Sequence, residues 1–560
     1  MKKLIECVPN FSEGRDMAII NQITAQIETV DGVKLLDVDP GAATNRTVVT
    51  MVGTPDEVIE AAFRAIKKAS ELIDMSKHSG AHPRFGATDV CPLVPVANIT
   101  MEETVEYARK LAKRIGEELG ISIYCYENAA LFEKRRNLAT VRAGEYEALK
   151  EKLQKPEWKP DFGPATFNAR SGATAVGARD FLVAYNINLN TTSTRRANAI
   201  AFDVRERGRP LREGNPVTGK VVLDEKGNKV WVPGTLKTVK AIGWFIEEFG
   251  VAQISMNLTN ISVTSVHEAF DEVCRKADAR GVRVTGSELV GLIPLKAMLD
   301  AGRYFLKKQQ RSVGVSEEEL IKIAVESLGL NQLYKFEPGK KIIEYFLREK
   351  DEQMLVKMNL REFANETASE SPAPGGGSIS AYTGALGISL ATMVANLSSH
   401  KRGWDDRWDE FSNWAAKGQA IKDELIWLVD EDTRAFNMIM DAFGLPKGND
   451  AEKAARAEAI QAATKHAIQI PFRVMQRSYE SMEVIKAMAE IGNPNSVSDA
   501  GVGALCARTA VIGAHLNVKI NSKDLTDKAF LDDILKQAVE IEEKTVALES
   551  EILQIVESKL

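Results

Sequence analysis

Histidine is scarce in this chain, and two of the six histidines lie four residues apart in HSGAHPRFG, at His78 and His82. Gly80 and Pro83 disfavour a continuous helix there, and no cysteine or glutamate cluster completes a zinc site, so we expect no metal. The segment instead predicts a loop that holds His82 beside Arg84, where an imidazole can exchange protons near pH 7. Taken alone, an ordinary turn histidine explains this loop better than a catalytic one.

Asp39 ends the strand-like run VKLLDVD and precedes the polar turn PGAATNR. A carboxylate at such a position could orient an imidazole from a neighbouring strand. An aspartate that caps the turn explains the same position equally well, so both interpretations stay open.

Residues 163–180, GPATFNARSGATAVGARD, combine small residues with Asn168, Arg170 and Arg179. Small residues let the backbone approach a flat ligand closely, and the arginines could meet carboxylates. The segment lacks the order of a phosphate-binding loop, so we expect no nucleotide site.

In PAPGGGSISAY three glycines, Gly375, Gly376 and Gly377, stand immediately before a helical pattern, and Ser378 is a candidate cap. The exposed amides of such a helix start suit an anionic group. A closely packed helix start without a ligand is equally compatible with this sequence.

The helix-forming stretch IKDELIWLVDEDTRAFNMIMDAF contains one carboxylate on its apolar stripe. Three- and four-residue steps define the stripe as Ile421, Leu425, Leu428, Asp432, Phe436, Ile439 and Phe443. Asp430 and Glu431 are expected off the stripe. Burial would raise the pKa of Asp432 towards the range in which it donates a proton near neutrality. An inward aspartate tied to an arginine or a backbone amide is the alternative.

A further polar loop, GNPNSVSDAGVGA at 492–504, carries Asn493, Asn495, Ser498 and Asp499 before another helix of small residues. The loop is expected either to cap that helix or to form the polar rim of the pocket that contains Asp432.

The elements that must position these groups divide the chain into an α/β part and an all-α part. Residues 1–180 show a β-α-β-β-α-β order, and residues 181–327 show a comparable order. We predict a pair of α/β sandwich (ferredoxin-like) subdomains, then a linker at 328–345 and a C-terminal helical bundle at 346–560. The charged segment 207–234 reads as a surface hairpin.

Composition excludes several functions. Lys and Arg total 72 and Asp and Glu total 78, a net charge of −6, so no strong positive field gathers nucleic acid. Five cysteines without a CxxC pair and a start without a secretory signal predict a cytoplasmic protein. The uncharged stretch 378–397 is rich in Ser, Gly and Ala, which favours a buried soluble helix over a membrane span.

Taken together, the motifs resemble a known family. VPNFSEGR, HSGAHPRFGATDVCPLVPV, GPATF with GATAVGARDFLVAYNINL, and GSELVGLIPLKAMLDAG look like the formiminotransferase domain. PAPGGGS, LVDEDTRAF, LPK, GNPNSVSD and LNVKIN look like the cyclodeaminase domain. Their order along nearly the whole chain resembles the bifunctional formiminotransferase-cyclodeaminase family of histidine breakdown. The hairpin segment 207–234 is longer than the family pattern.

The resemblance implies roles for particular residues. His82 matches the family's catalytic histidine, Asp39 an acidic residue near it, and Asp432 the active-site aspartate of the second domain. The folate-binding stretch of the family matches Gly163, Pro164, Ala165, Thr166, Phe167, Asn168, Ala169, Arg170, Ser171 and Gly172. Arg46 and Arg84 are guesses for the groups that bind the glutamate carboxylates.

The resemblance also implies the substrates: N-formimino-L-glutamate and tetrahydrofolate, the latter a polyglutamylated co-substrate. It implies a ring of dimers, with no metal, nucleotide, nucleic acid or membrane as partner. Two rival hypotheses keep the transferase but make the bundle a methenyltetrahydrofolate cyclohydrolase or an inactive oligomerisation module.

Overall fold

The computed structural model describes residues 3–41, 45–79, 84–215, 218–247, 249–347 and 355–560. These residues form two compact units, Met1–Met298 with Val325–Arg348, and Leu299–Ala324 with Glu349–Leu560. The first unit is α/β and the second is helical, which confirms the predicted fold class. The units divide the chain differently from the predicted domains, because residues 299–324 group with the helical residues.

The strands are β1 (Leu4–Cys7), β2 (Asn10–Phe11), β3 (Val33–Gly41), β4 (Arg46–Gly53), β5 (Thr88–Ala97), β6 (Ser122–Glu127), β7 (Ala173–Ala178), β8 (Val183–Leu189), β9 (Arg209–Pro210), β10 (Trp231–Val232), β11 (Val239–Ile246), β12 (Val251–Leu258) and β13 (Val284–Val290).

The helices are α1 (Met17–Glu28), α2 (Pro55–Leu72), α3 (Met101–Leu119), α4 (Leu138–Val141), α5 (Leu149–Lys152), α6 (Thr194–Val204), α7 (Val266–Asp278), α8 (Leu295–Lys308), α9 (Glu317–Leu328), α10 (Pro338–Lys341), α11 (Ile343–Leu347), α12 (Leu360–Thr367), α13 (Gly376–Ser399), α14 (Trp408–Gly444), α15 (Asp450–Ile491), α16 (Val497–Asn521) and α17 (Lys528–Glu557).

The first subdomain is built on a seven-stranded sheet in the order β1-β4-β2-β5-β7-β6, with β3 paired to β4. Strand β7 pairs in parallel with β5 and β6, and the other pairs are antiparallel. Apolar residues of one sheet face pack on α1, α2 and α3, and this core includes Ile5, Met51, Leu93 and Ile123. Side chains alternate along a strand, so the other residues lie on the opposite face, which is partly covered: Val90, Tyr124 and Tyr126 pack there with Val141 and Leu149 of α4 and α5.

The second subdomain is a four-stranded antiparallel sheet in the order β11-β12-β8-β13, contacted by α6 and α7. Gly243 of β11 lets α6 approach closely, because a Cβ there would lie 2.7 Å from the Cβ of Ala197. The hairpin predicted within 207–234 is present around Lys226-Gly227-Asn228, where Leu223 bridges to Lys229 and Asp224 N donates to the carbonyl oxygen of Asn228 at 2.8 Å, and β9 pairs with β10 nearby.

The helical unit is a bundle in which α13 packs against α14, α15 and α16. Small residues bring these helices together: a Cβ at Gly384 would lie 2.5 Å from Ser478 Oγ, and one at Gly387 would lie 2.8 Å from the carbonyl oxygen of Gly503. Among the described residues, two helical stretches, Gly376–Ser399 and Pro494–Asp524, are long and apolar enough to cross a membrane. The predicted helix at 378–397 is nevertheless packed inside the bundle, with 61% of its most apolar window buried.

Candidate functional site

The catalytic histidine implied for the transferase, His82, lies outside the described residues, and its role stays a prediction. The residues on either side of it are well anchored. His78 Nε2 is 2.8 Å from the carbonyl oxygen of Asn45, whose amide nitrogen donates to the carbonyl of Ser79 at 2.9 Å. Burial lowers the pKa of His78, which favours its neutral form. The start of β4 is therefore fixed to the segment that leads towards His82.

Arg84 is paired with the chain's own carboxylates. Its guanidinium forms an ion pair with Glu147 and lies 3.6 Å from a carboxylate oxygen of Glu145. Its carbonyl oxygen accepts a hydrogen bond from Tyr146 N at 2.9 Å. These contacts give Arg84 a place in the fold, and the guess that it also binds a substrate carboxylate stays a prediction.

Asp39 lies on β3 opposite Val48 of β4, and its side chain is exposed. Directly paired residues of antiparallel strands share a sheet face, and so do residues two apart on one strand. Asp39, Val48 and Arg46 thus share one face. Orientation of the imidazole by Asp39 remains a prediction.

The stretch 163–172 is a loop that leads directly into β7. Asn168 Oδ1 accepts hydrogen bonds from the amides of Arg170 and Ser171 at 3.1 and 3.0 Å, which shapes the turn. The carbonyl of Ser171 accepts from Ala87 N at 2.8 Å, joining the loop to the residues that follow Arg84. Much of the loop is exposed, including Ala165, Thr166 and Ala169 among its ten residues. Folate binding there remains a prediction.

On the opposite face of the same sheet, Arg46, already a candidate from the sequence, belongs to a polar cluster whose other members the sequence patterns missed. Arg142, just after α4, places Nη1 2.6 Å from Asp89 Oδ2, and Arg46 donates to Asn10 Oδ1. Asp89 occupies the point where the pairing of β5 with β2 shifts register, a bulge that redirects a side chain. No linear motif could reveal this cluster, because its members come from β2, β4, β5 and the end of α4.

Glu6 is a second missed group on that face. It pairs with Val52 and Val94 in register and is only 5% exposed. Burial raises its pKa to about 7, and the positive charge of Arg179 opposes that shift. Glu6 therefore titrates in the physiological range.

In the bundle, Asp432 is held by the beginning of α13. Asp432 Oδ2 accepts hydrogen bonds from Ser378 N at 2.9 Å and from Ser378 Oγ at 3.1 Å. Burial raises the pKa of Asp432, and the hydrogen bonds from Ser378 oppose the rise. The predicted cap Ser378 thus serves a carboxylate from another helix.

The three glycines explain how the two helices meet so closely. A Cβ at Gly377 would overlap Asp432 Oδ1, so only glycine fits there. A Cβ at Gly376 would lie 3.1 Å from Asn517 Nδ2, which places an amide of α16 beside the same helix start. Gly375 is the residue that caps α13. Asn517 belongs to the LNVKIN motif but was not predicted as a site residue.

The apolar stripe of α14 is fully buried only up to Leu428; beyond Asp432, Ile439 is partly buried against the bundle core. Ile421, Leu425 and Leu428 are buried, but Phe436 is 38% and Phe443 51% exposed. The reason is that α13 begins at Gly376 beside Asp432, so α14 continues past it without that partner. Phe436, one turn beyond Asp432, gives the site an exposed apolar wall.

Asp430 lies off the apolar stripe, as expected, but it is buried all the same. Asp430 is 6% exposed and accepts a hydrogen bond from Leu355 N at 2.8 Å. The segment that contains Leu355 covers a second face of α14, which the periodicity of α14 alone cannot show.

The loop with Asn493, Ser498 and Asp499 does not border Asp432 within this chain. Asn493 N donates to Ser398 Oγ at 2.8 Å, at the end of α13, whereas Asp432 contacts Ser378 at its start. These twenty residues of helix span about 30 Å. The expectation of a shared pocket is therefore wrong for one chain. The loop does not cap α16 with a side chain either, because the N-cap residue Ser496 makes no such hydrogen bond; Asn493 Oδ1 instead caps the short 3-10 turn Pro494–Ser496 by accepting from Asn495 N at 3.3 Å.

Within the described part of the chain, no group of three or more His, Cys, Asp or Glu side chains is arranged to hold a metal.

Three family models match the chain. The N-terminal subdomain of the formiminotransferase domain matches residues 4–179, the formiminotransferase domain matches 184–348, and formiminotransferase-cyclodeaminase matches 359–540. A formimidoyltransferase-cyclodeaminase of Gallus gallus is 43% identical over 560 residues, 100% of both chains.

Two further relatives match the parts of the chain separately. A glutamate formimidoyltransferase of Streptococcus pyogenes is 43% identical over 307 residues, 55% of this chain and 94% of the relative. A methenyltetrahydrofolate cyclohydrolase of Methylorubrum extorquens is 36% identical over 201 residues, 36% of this chain and 97% of the relative. With its motifs, fold and full-length similarity in agreement, the chain belongs to the formimidoyltransferase-cyclodeaminase family of bifunctional enzymes.

Proposed function

We propose that the α/β unit transfers the formimino group of N-formimino-L-glutamate to N5 of tetrahydrofolate and that the bundle closes the product to 5,10-methenyltetrahydrofolate. The observation that carries the second step is the carboxylate of Asp432 at the start of α13, where Ser378 donates two hydrogen bonds to it. The full-length relative supports the pairing of both activities in one chain.

In the transfer, N5 attacks the formimino carbon and the bond from that carbon to the glutamate nitrogen breaks. The proton that leaves N5 must reach the glutamate nitrogen, so one group that accepts and then donates a proton suffices. His82 is proposed for this role, with Asp39 orienting it. The anchoring of Ser79 by Asn45 supports a fixed position for the start of this loop.

In the cyclisation, N10 attacks the carbon of the protonated formimino group and ammonia leaves. Amide donors and the positive end of the α13 dipole stabilise Asp432 as a carboxylate before reaction. The carboxylate accepts the N10 proton as the ring closes and returns it to the departing nitrogen. Asp432 thus acts as a base and then as an acid, and it ends each cycle ionised.

The decisive experiment is a stopped assay of the full chain with N-formimino-L-glutamate and tetrahydrofolate. Ammonia and the absorbance of the methenyl product should appear together, in equal amounts. Glutamate release without ammonia would limit the protein to the transferase.

The cyclohydrolase similarity favours a second candidate for the bundle, hydrolysis of 5,10-methenyltetrahydrofolate. The two functions separate cleanly when 5-formiminotetrahydrofolate is supplied alone. Ammonia release at a rate comparable to overall turnover supports the cyclodeaminase, and hydrolysis of the methenyl compound without ammonia release supports the cyclohydrolase.

We also propose a cytoplasmic homo-oligomer that uses polyglutamylated folate. Exposed apolar side chains on α13 and α16 support an interface there: Leu386, Met393, Leu397, Val502 and Leu505. Light scattering of the purified chain tests assembly, and a comparison of KM for mono- and pentaglutamate folates tests the folate preference.

A further inference from the structure

The polar cluster of Asn10, Arg46, Asp89 and Arg142 combines a buried polar floor with two arginines. Asn10 is 4% exposed and Asp89 is fully buried, so the cluster has a rigid polar floor. Arg142 and Arg46 reach this floor from different elements. One guanidinium nitrogen of Arg142 donates to Asp89, and one of Arg46 donates to Asn10. Such forks match carboxylates with two parallel hydrogen bonds.

The charges of the cluster sum to a positive value. Among the described groups that act on Arg46 are Asp89, Arg142 and Tyr126, which are one anion, one cation and a neutral phenol. Burial raises the pKa of Tyr126 above its usual range, so that phenol supplies no negative charge. Within this four-residue cluster, two partly buried guanidinium groups and one carboxylate therefore leave an excess of positive charge. A second carboxylate, brought by a ligand, would offset the desolvation of both cations.

The cluster lies beside the residues that carry the transferase chemistry. Arg46 follows Asn45, which contacts both His78 and Ser79. Arg46 also pairs with Gly41 in register, two positions from the pair of Asp39 with Val48. The guanidinium thus stands on the sheet face of Asp39, close to the base of the loop that leads to His82.

We propose that Arg46 and Arg142 bind a carboxylate of N-formimino-L-glutamate, and that Asp89 and Asn10 hold the two guanidinium groups in position for it. This inference rests on the proposed transferase function and assigns one part of its site. The glutamyl carboxylate of folate is the competing anion, but the aminobenzoyl group separates it from N5. The nearness of Arg46 to the loop favours the substrate whose carboxylates lie a few bonds from the reacting carbon.

The test compares wild type with Arg46→Gln and Arg142→Gln in steady-state transfer. Loss of a charge-assisted carboxylate contact should raise KM for N-formimino-L-glutamate about 10- to 100-fold, with KM for tetrahydrofolate within about 2-fold of wild type. Arg46→Lys, which keeps the charge but not the fork, should fall between. Arg64→Gln, an exposed arginine of α2 paired with Glu60, is the matched control and should keep both constants.

Two substrate analogues identify the contact directly. N-formimino-4-aminobutyrate lacks the α-carboxylate, and N-formimino-L-2-aminobutyrate lacks the γ-carboxylate. One of the two analogues should be a poor substrate of the wild-type enzyme. With that analogue, Arg46→Gln should lose no further activity, because the analogue lacks the carboxylate that Arg46 contacts. Equal additional losses for both analogues in the variant would overturn the assignment, as would a rise in KM for tetrahydrofolate alone.

Cyclisation of supplied 5-formiminotetrahydrofolate serves as the internal folding control, since it depends on the bundle. A wild-type enzyme without transfer activity would refute the proposed function together with this inference. Normal wild-type transfer with unchanged constants in the variants would refute only the inference.

Discussion

Replacement of Ser378 by alanine should move the pH dependence of cyclisation while leaving transfer unchanged. The substitution removes the hydrogen bond from Oγ to Asp432 Oδ2 and keeps the backbone donor at 2.9 Å. Loss of a donor destabilises the ionised carboxylate, so the pKa of Asp432 rises further above its usual range.

The magnitude follows from how the hydroxyl hydrogen is shared. Ser378 Oγ lies 2.9 Å from the carbonyl oxygen of Val429 as well as 3.1 Å from Asp432, and it has one hydrogen for both acceptors. A hydrogen bond to a charged group contributes about 1.5–3 kcal/mol, so a half share is about 1 kcal/mol. At about 1.4 kcal/mol per pKa unit, the expected shift is roughly 0.5–1 unit upwards.

The assay supplies 5-formiminotetrahydrofolate and follows methenyl absorbance from about pH 5 to 9. Because Asp432 acts first as a base, kcat should fall at low pH, and this acidic limb should move up by roughly 0.5–1 unit in Ser378→Ala. Ser389→Ala, which removes a hydroxyl bonded to Ala385 O on the same helix, is the control and should leave the limb in place. If the acidic limb of the kcat–pH profile is unchanged or moves to lower pH in Ser378→Ala, the proposed order of proton transfers is refuted.

Four further substitutions test the two sites and the buried acid of the sheet. Gly377→Ala should abolish cyclisation and spare transfer in coupled assays, because its Cβ overlaps the catalytic carboxylate, whereas Gly444→Ala meets no atom within 4 Å and should be neutral. His82→Ala should lose transfer and keep cyclisation of supplied intermediate, and Asp432→Asn should do the reverse and accumulate 5-formiminotetrahydrofolate; equal loss of both steps in either variant would contradict separate sites. Glu6→Gln should stabilise the protein above pH 7. The folded pKa of about 7 exceeds the usual 4.5, so wild-type stability falls by about 3 kcal/mol as the pH rises through these values. Urea unfolding should therefore show a gain for the variant that is several-fold larger at pH 8 than at pH 5, and equal gains would contradict the buried acid.

The regular spacing of apolar residues predicted most of the helices and strands. A helix or strand that buries one face carries apolar residues at a fixed interval along the sequence. The run VKLLDVD at 33–39 lies within β3, and the predicted C-terminal bundle contains α13 to α17. Strand β7 was missed since ATAVGA has little of the β-branched and aromatic character of strands. Its small residues have a structural reason: the ring of Tyr126 lies over Gly177, where a Cβ would be 2.6 Å from the ring.

Site residues could be predicted where a pattern within one helix or strand marks them. Ser378 and Asp432 each stood out in a local pattern, and the structure brings them together. Arg142 and Asp89 are 53 residues apart and carry no motif, so only the folded sheet pairs them. The burial of Asp430 could not be predicted for the same reason, because the segment at Leu355 that packs over it is distant in the sequence.

The direction in which each bundle helix runs decides which residues lie near Asp432. That direction could be predicted from the sequence, because the loops that join the helices are short. Successive bundle helices joined by short loops run antiparallel. From the start of α13 at the site, α14 returns to it at Asp432, α15 leads away, and α16 returns. This alternation places the loop at Asn493 at the far end and brings Asn517, near the end of α16, back to Gly376. Asn517→Ala should therefore reduce cyclisation of supplied 5-formiminotetrahydrofolate, whereas Asn493→Ala should affect stability rather than the chemistry within one chain. If Asn493→Ala lowers kcat with thermal stability unchanged, the far end of the bundle contributes to catalysis, and helix direction alone does not decide which residues form the site.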